Sequence, residues 1–153
     1  MKKATILCVA LALVVAFFFG AKAFYPEEER DSAGARLYFG ETPVTLIIAD
    51  TERERMQGLS GHPGLSEGEG MLFIFPTDGQ YGFWMKDMLF SIDIIWLDKS
   101  FSVVGVEENF APETFPAVAE PPVPVRYVLE VPAGFVAQHD VKKGDIARFL
   151  NVL

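Results

Sequence analysis

The residues most able to do chemistry are charged side chains that stand inside apolar, strand-like segments. Lys86 is the first of them, because it follows Trp84 in the run FWMKDMLFSIDIIWLD, one of the most apolar parts of the chain. A buried ammonium is costly unless it meets a carboxylate, so Lys86 is expected either to reach a solvent-exposed rim or to pair with an acid. The possible acidic partners are Asp93, Glu107, Glu108 and Glu130. Two interpretations stay open: a structural ion pair at the mouth of a barrel, or a polar cluster that contacts a ligand beside aromatic rings.

Asp93 is the second such residue, since a carboxylate within SIDIIW is disfavoured both by β-propensity and by burial. It is either an exposed residue on the polar face of a strand or a member of the same cluster. Arg53 is expected on a helix surface, but it could pair with Asp50 at the helix start or reach Glu107 or Glu108. Arg126 is expected to pair across strands rather than to clamp an anion. The candidate ligand-binding residues are therefore Trp84, Lys86, Asp93, Glu107, Arg53 and Arg126.

Sequence patterns of well-known catalytic and metal sites are missing. There is no G-x-S-x-G, S-x-x-K or H-E-x-x-H pattern. Met85 and Met88 could offer soft thioether ligands to copper(I), but His62 and His139 lack a paired spacing, so packing of both methionines in the core is favoured. We therefore expect no metal, no cofactor and no catalytic residue.

The N-terminus has the features of an export signal. Two lysines, an uninterrupted apolar run over residues 4–19 and the small-x-small pattern AKA predict a signal peptide over residues 1–23. The run is close to the length of a membrane span, so an uncleaved anchor through residues 4–21 is the alternative. An acidic linker over residues 24–35 then leads to a single domain over residues 36–153. The sequence thus predicts a periplasmic or secreted protein.

Charge and cysteine content limit the classes of partner. Removing residues 1–23 removes three of the 13 basic residues and none of the 21 acidic ones, so the formal charge falls from −8 to about −11. The only cysteine, Cys8, lies in the same segment, so the mature domain must be stable without a disulfide. Binding of nucleic acid needs clustered basic residues, and the excess of acid argues against it.

The remaining chain predicts short strands with little helix. PVTLIIAD is typical of a strand, and Thr51-x-x-Glu54 predicts a capping box for a helix from Glu52 to Gln57 or Leu59. MLFIF predicts a strand buried on both faces, whereas in the strand MLFSIDIIWLD the residues Ser and Asp interrupt one face. DKS predicts a hairpin turn, and VRYVLEVP and IARFLNVL predict two further strands. The result is a mainly β domain, a compact antiparallel barrel or sandwich of seven or eight strands with one or two short helices.

One segment fits none of these elements. Residues 110–124 hold five prolines and no periodicity, and the segment is too long for an ordinary connection. We therefore expect a flap or a functional loop there.

Five blocks of sequence resemble, in order and spacing, the family known as Domain of Unknown Function 192. The blocks are ADTERERMQGL, EGMLFIFP, FWMKDMLFSIDIIWLD, VEENFAP and RYVLEVPAG with KKGD, and together they cover residues 42–150. The resemblance implies a single, mostly antiparallel β domain with a small helix after the first strand, often behind an export signal, and no established activity. Asp87 departs from the family pattern, in which asparagine is more usual, so a role that needs a neutral amide there is in doubt.

These features favour an exported, non-catalytic and monomeric domain that binds a small ligand or an envelope partner. A small hydrolase that uses Asp93 or Glu107 as an acid or base is one alternative. A purely structural, partner-binding domain with the proline-rich segment as its contact surface is the other.

Overall fold

The structure is a computed structural model that describes residues 34–151, and these residues form a mainly β domain. The predicted signal peptide and the linker up to residue 33 lie outside the described residues. The strands are β1 Ala35–Phe39, β2 Thr42–Ala49, β3 Glu69–Gly79, β4 Phe83–Trp84, β5 Ile92–Leu97, β6 Val103–Phe110, β7 Val118–Ala119, β8 Val125–Pro132 and β9 Ala147–Asn151. The helices are α1 Glu52–Gln57 and α2 Phe135–Gln138, with a 3₁₀ turn at Pro112–Thr114. Over residues 34–151 no helix has the length and apolarity that crossing a membrane requires.

Seven strands form one curled sheet in the order β6-β5-β8-β3-β2-β1-β9. All neighbours are antiparallel except β2 and β3, which run parallel because α1 and the loop after it return the chain to the same end of the sheet. The two edge strands meet at one end, where a bridge joins Ser102 to Ile146 and the amide of Val103 donates to the carbonyl of Asp145 at 2.8 Å. The result is a half-barrel, which confirms the mainly β fold that was predicted as a compact barrel or sandwich.

The sheet carries an apolar cluster on each face. The inner cluster includes Leu37, Leu72 and Leu129, and the outer cluster includes Phe73 and Val128. Because a strand alternates its side chains between the two faces, the central strands are buried on both sides. Burial of apolar area on two faces gives this cysteine-free domain its main source of folding free energy.

Strand β5 departs from the prediction in an informative way. All six of its residues are buried, so neither face of this strand is solvated. Asp93 pairs with Val131, a member of the inner cluster, and has no exposed surface. The interpretation of Asp93 as an exposed strand residue is therefore wrong.

Helix α1 begins at the predicted capping box. The hydroxyl of Thr51 accepts from the amide of Glu54 at 3.2 Å, and the Glu54 carboxylate accepts from the amide of Thr51 at 2.9 Å. The helix ends at Gln57, where Gly58 takes a positive φ of 51° that favours glycine. Arg55 donates through Nη1 to the carbonyl of Ile74 at 2.9 Å and so fixes the helix to β3.

The proline-rich segment folds over the outer face of the sheet. After its 3₁₀ turn it forms β7, which pairs with β4 as a second, two-stranded sheet: Phe83 lies opposite Ala119 and Trp84 opposite Val118. The rings of Trp84 and Phe115 meet edge-on with centroids 6.0 Å apart. The segment expected to be a flap or a functional loop is thus a layer that positions β4.

Candidate functional site

A cleft of about 380 Å³ lies between α1 on one side and the segment containing β4 on the other. This volume falls within the range of small-molecule sites, roughly 300–1,000 Å³. Five aromatic residues line it: Phe73, Phe75, Tyr81, Phe83 and Trp84. Leu59, Met56 and Met88 add further apolar surface.

The aromatic rings are held by contacts with one another. Phe73 and Phe83 meet edge-on with centroids 4.8 Å apart, and Phe75 and Tyr81 stack at 3.5 Å. The hydroxyl of Tyr81 donates to the carbonyl of Thr77 at 2.7 Å, which fixes that ring further. The walls of the cleft are therefore set before any ligand arrives, which lowers the entropy cost of binding.

Glu130 is the unusual group of this cleft. It lies on β8 between Met71 of β3 and Ile94 of β5, is 5% exposed and lines the cleft from the sheet side. Its Oε2 atom is buried and has no hydrogen-bond partner among the described residues. Burial raises the pKa of Glu130 from 4.5 to about 8, so the group is mostly a neutral carboxylic acid at pH 7. A buried carboxyl with a raised pKa in a cleft is a feature of functional sites.

The α1 side of the cleft carries one basic residue, Arg55, and one acidic residue, Glu52. Arg55 donates through Nη1 to the carbonyls of Asp50 and Ile74, and its guanidinium lies 5.4 Å from the centroid of Phe75. Glu52 lies in the first turn of the same helix and also lines the cleft. These two charges offset each other, so the protonation state of Glu130 sets the net charge of the lining.

Of the six predicted ligand-binding residues, Trp84 alone lines the cleft. Arg53 lies exposed on α1, and Glu107 lies exposed on β6 opposite Ile94. Lys86 is exposed, and no carboxylate of residues 34–151 lies within ion-pair distance of it. The structural ion pair considered for Lys86 is therefore not formed there, and its position fits the solvent-exposed rim instead.

Asp93 holds three elements together. Its Oδ1 atom accepts from the amide of Asn109 at the end of β6, and its Oδ2 atom accepts from the amide of Val136 in α2, both at 2.8 Å. Each carboxylate oxygen thus serves a backbone donor that would otherwise lack a partner. This arrangement is a structural role that the sequence analysis did not anticipate.

Arg126 pairs across strands, as expected. Its Nε atom lies 2.7 Å from Oδ1 of Asp78 on β3, and both side chains are partly exposed. We predict that a double-mutant cycle of Arg126→Ala and Asp78→Ala gives a coupling free energy below about 1 kcal/mol, because solvent screens such pairs. Urea unfolding of the four proteins measures it, and a coupling above about 2 kcal/mol would contradict the prediction.

Sequence reasoning named Glu130 only as a partner for Lys86 and missed its place in the cleft. The available signal was the alternation of VRYVLEVP, which puts Glu130 on the same face as Val128. Met85 and Met88 pack in the outer cluster, as predicted. Among the described residues, no group of three or more histidine, cysteine or acidic side chains is arranged to hold a metal ion.

Sequence comparisons show which known proteins this chain is similar to. Residues 36–149 match the DUF192 family, described as "Uncharacterized ACR". A UPF0127 protein of Thermococcus gammatolerans is 31% identical over 101 residues, and the match spans 65% of this chain and 62% of that relative.

Two crystal structures share the fold. One is of a protein from Sinorhizobium meliloti 1021 described as a proposed transcription regulator, with a TM-score of 0.69 and 28% identity over 75% of this chain and 91% of that one. The other is of a protein of unknown function from Novosphingobium aromaticivorans, with a TM-score of 0.66 and 23% identity over 75% of this chain and 83% of that one.

Proposed function

The chain belongs to the DUF192 family, and from its cleft we propose that it is an exported, non-catalytic domain that binds a small ligand. The observation that carries the proposal is the buried Oε2 atom of Glu130, which has no hydrogen-bond partner among the described residues and lies on the sheet side of a cleft lined by aromatic rings. A buried polar group without a partner lowers stability, and proteins commonly keep such groups where function requires them. A ligand that occupies the cleft would supply the missing partner.

Support for export comes from the N-terminal sequence. The apolar run over residues 4–19 and the AKA pattern that follows fit a signal peptide. The absence of cysteine after Cys8 suits a mature domain that depends on its core alone.

The description of the Sinorhizobium meliloti protein raises the question of DNA binding. The excess of 21 acidic over 13 basic residues disfavours phosphate contacts in this chain, so we do not extend that description to it.

Two alternatives have some structural support. A hydrolase would use Glu130 as its general acid, because a carboxyl with a raised pKa in a cleft suits that role better than fully buried Asp93 or exposed Glu107. A partner protein could instead dock on the proline-rich segment, where Phe115 and Val118 are exposed.

Thermal unfolding tests the ligand-binding proposal. The purified chain is heated with indole, 2-phenylethanol or N-acetylglucosamine, and the aromatic probes are expected to raise the midpoint. A probe at 100 times its Kd adds about 2.7 kcal/mol, which corresponds to several degrees.

Two exposed apolar residues provide a matched pair of variants. Trp84 is 55% exposed and lines the cleft, whereas Leu89 is 67% exposed and does not. Trp84→Ala is expected to weaken the shift and Leu89→Ala to preserve it. No shift with either aromatic probe, or an equal loss in both variants, would overturn the proposal.

A further inference from the structure

We infer that the cleft takes an organic cation, an ammonium group bound at Glu130 and attached to an apolar body that lies against the aromatic rings. The inference deepens the proposed function and rests on it. It names the charge and shape of the ligand, which the cleft volume alone does not.

The first support is the lining itself. Five aromatic residues face the cleft, and the face of an aromatic ring attracts a cation. Arg55 already shows this attraction, because its guanidinium lies 5.4 Å from the centroid of Phe75. The rings can therefore solvate an ammonium while also packing against an apolar body.

The second support is the buried carboxyl. Glu130 is 5% exposed, and its Oε2 atom lacks a partner among the described residues. Its neighbours on β3 and β5 are Met71 and Ile94, which carry no charge. An ammonium is the ligand group that both donates a hydrogen bond to this oxygen and neutralises the carboxylate.

The charged groups on the α1 wall of the cleft are already engaged, so Glu130 is the group left to bind the ammonium. Arg55 is held by two backbone carbonyls and is offset by Glu52, while the hydroxyl of Tyr81 is engaged with Thr77. An anionic ligand would meet the negative charge of Glu52 and a chain with a formal charge of −8, and neutral Glu130 would not offset them. The electrostatics of the lining thus favour a cation over an anion.

Proton balance separates a cation from a neutral ligand. At pH 7 an ammonium would displace the proton of Glu130 to solvent and form an ion pair with the carboxylate that is left. A neutral alcohol or carbonyl would accept a hydrogen bond from the protonated carboxyl and release no proton. Proton release on binding is therefore the signature of the inferred ligand class.

Titration calorimetry at pH 7, in two buffers of different protonation enthalpy, measures that release. Three probes share an aromatic ring and differ in charge: 2-phenylethylamine, 2-phenylethanol and phenylacetate. The amine is expected to bind at least about tenfold tighter than the alcohol and to release close to one proton. Its affinity is expected to rise about tenfold between pH 6 and pH 7.

Two variants make the test specific. Glu130→Gln imitates the protonated acid and is expected to abolish both proton release and the preference for the amine. Glu108→Gln removes an exposed acidic group that lies outside the cleft and is expected to leave proton release unchanged.

The outcomes distinguish the two proposals. The inference of a cationic ligand is wrong if the alcohol binds as tightly as the amine, if phenylacetate binds tightest, or if no proton is released. In each of these cases the proposal that the cleft binds a small ligand still stands. If none of the three probes binds, the cation and the proposed function both fail.

Discussion

Replacing Asp93 with alanine lowers the free energy of unfolding by about 3 to 5 kcal/mol. The reason is that two amides, those of Asn109 and Val136, lose their acceptors, and each buried donor without a partner costs about 1 to 3 kcal/mol. Urea unfolding at pH 7 measures the loss. The effect needs no ligand, because Asp93 is fully buried and its partners are backbone groups.

Asp98 provides the matched control for this prediction. Its Oδ1 atom also accepts from two amides, those of Ser100 at 2.7 Å and Ser102 at 2.9 Å, but in a solvent-accessible turn. Water can replace these bonds, so Asp98→Ala is expected to cost only about 1 kcal/mol. An Asp93→Ala loss no larger than that of Asp98→Ala would show that the buried carboxylate does not hold the three elements together.

The second large effect is a loss of stability as pH rises, caused by Glu130. Its pKa is about 8 in the folded protein and about 4.5 in the unfolded chain, so the unfolded state ionises first. The contribution of Glu130 is therefore fully present below pH 4.5 and is lost as pH rises through 8. The slope approaches 1.4 kcal/mol per pH unit and the total is of the order of 5 kcal/mol.

Glu130→Gln isolates this contribution from that of the other titratable groups. Glutamine stays neutral at every pH, so the variant is expected to gain stability relative to the wild type between pH 5 and pH 8. Urea unfolding of both proteins at half-unit steps of pH measures the difference. A difference that stays constant over this range would mean that Glu130 is ionised in the folded state.

Local sequence signals predicted the fold well. The capping box at Thr51 and Glu54 depends on contacts three residues apart, so it is visible in the sequence and appears as predicted. The mainly β class follows from short alternating strands and their turns, which left a barrel and a sandwich open. The parallel pairing of β2 with β3 did not follow from these signals, since pairing direction is decided by contacts distant in the chain.

The candidate site was harder to predict for a related reason. An acidic residue in an apolar strand draws attention to Asp93 and Glu130 alike, yet sequence does not say what covers each face of the sheet. In the fold, Asp93 meets two amides, because the end of β6 and α2 lie against it, whereas Glu130 meets a cleft that lies between α1 and the segment containing β4. Tertiary context therefore separates a structural carboxylate from a candidate ligand-binding one.

The curled sheet closes at one end only, and this has a consequence for contacts between molecules. Strand β6 is an edge strand, and beyond the bridge at Ser102 its outer side has no partner strand among the described residues. An open edge invites strand addition from another chain, which leads to aggregation. Glu107 and Glu108 are exposed on this edge, so two approaching copies would bring like charges together. These carboxylates thereby help the protein to stay dispersed at high local concentration.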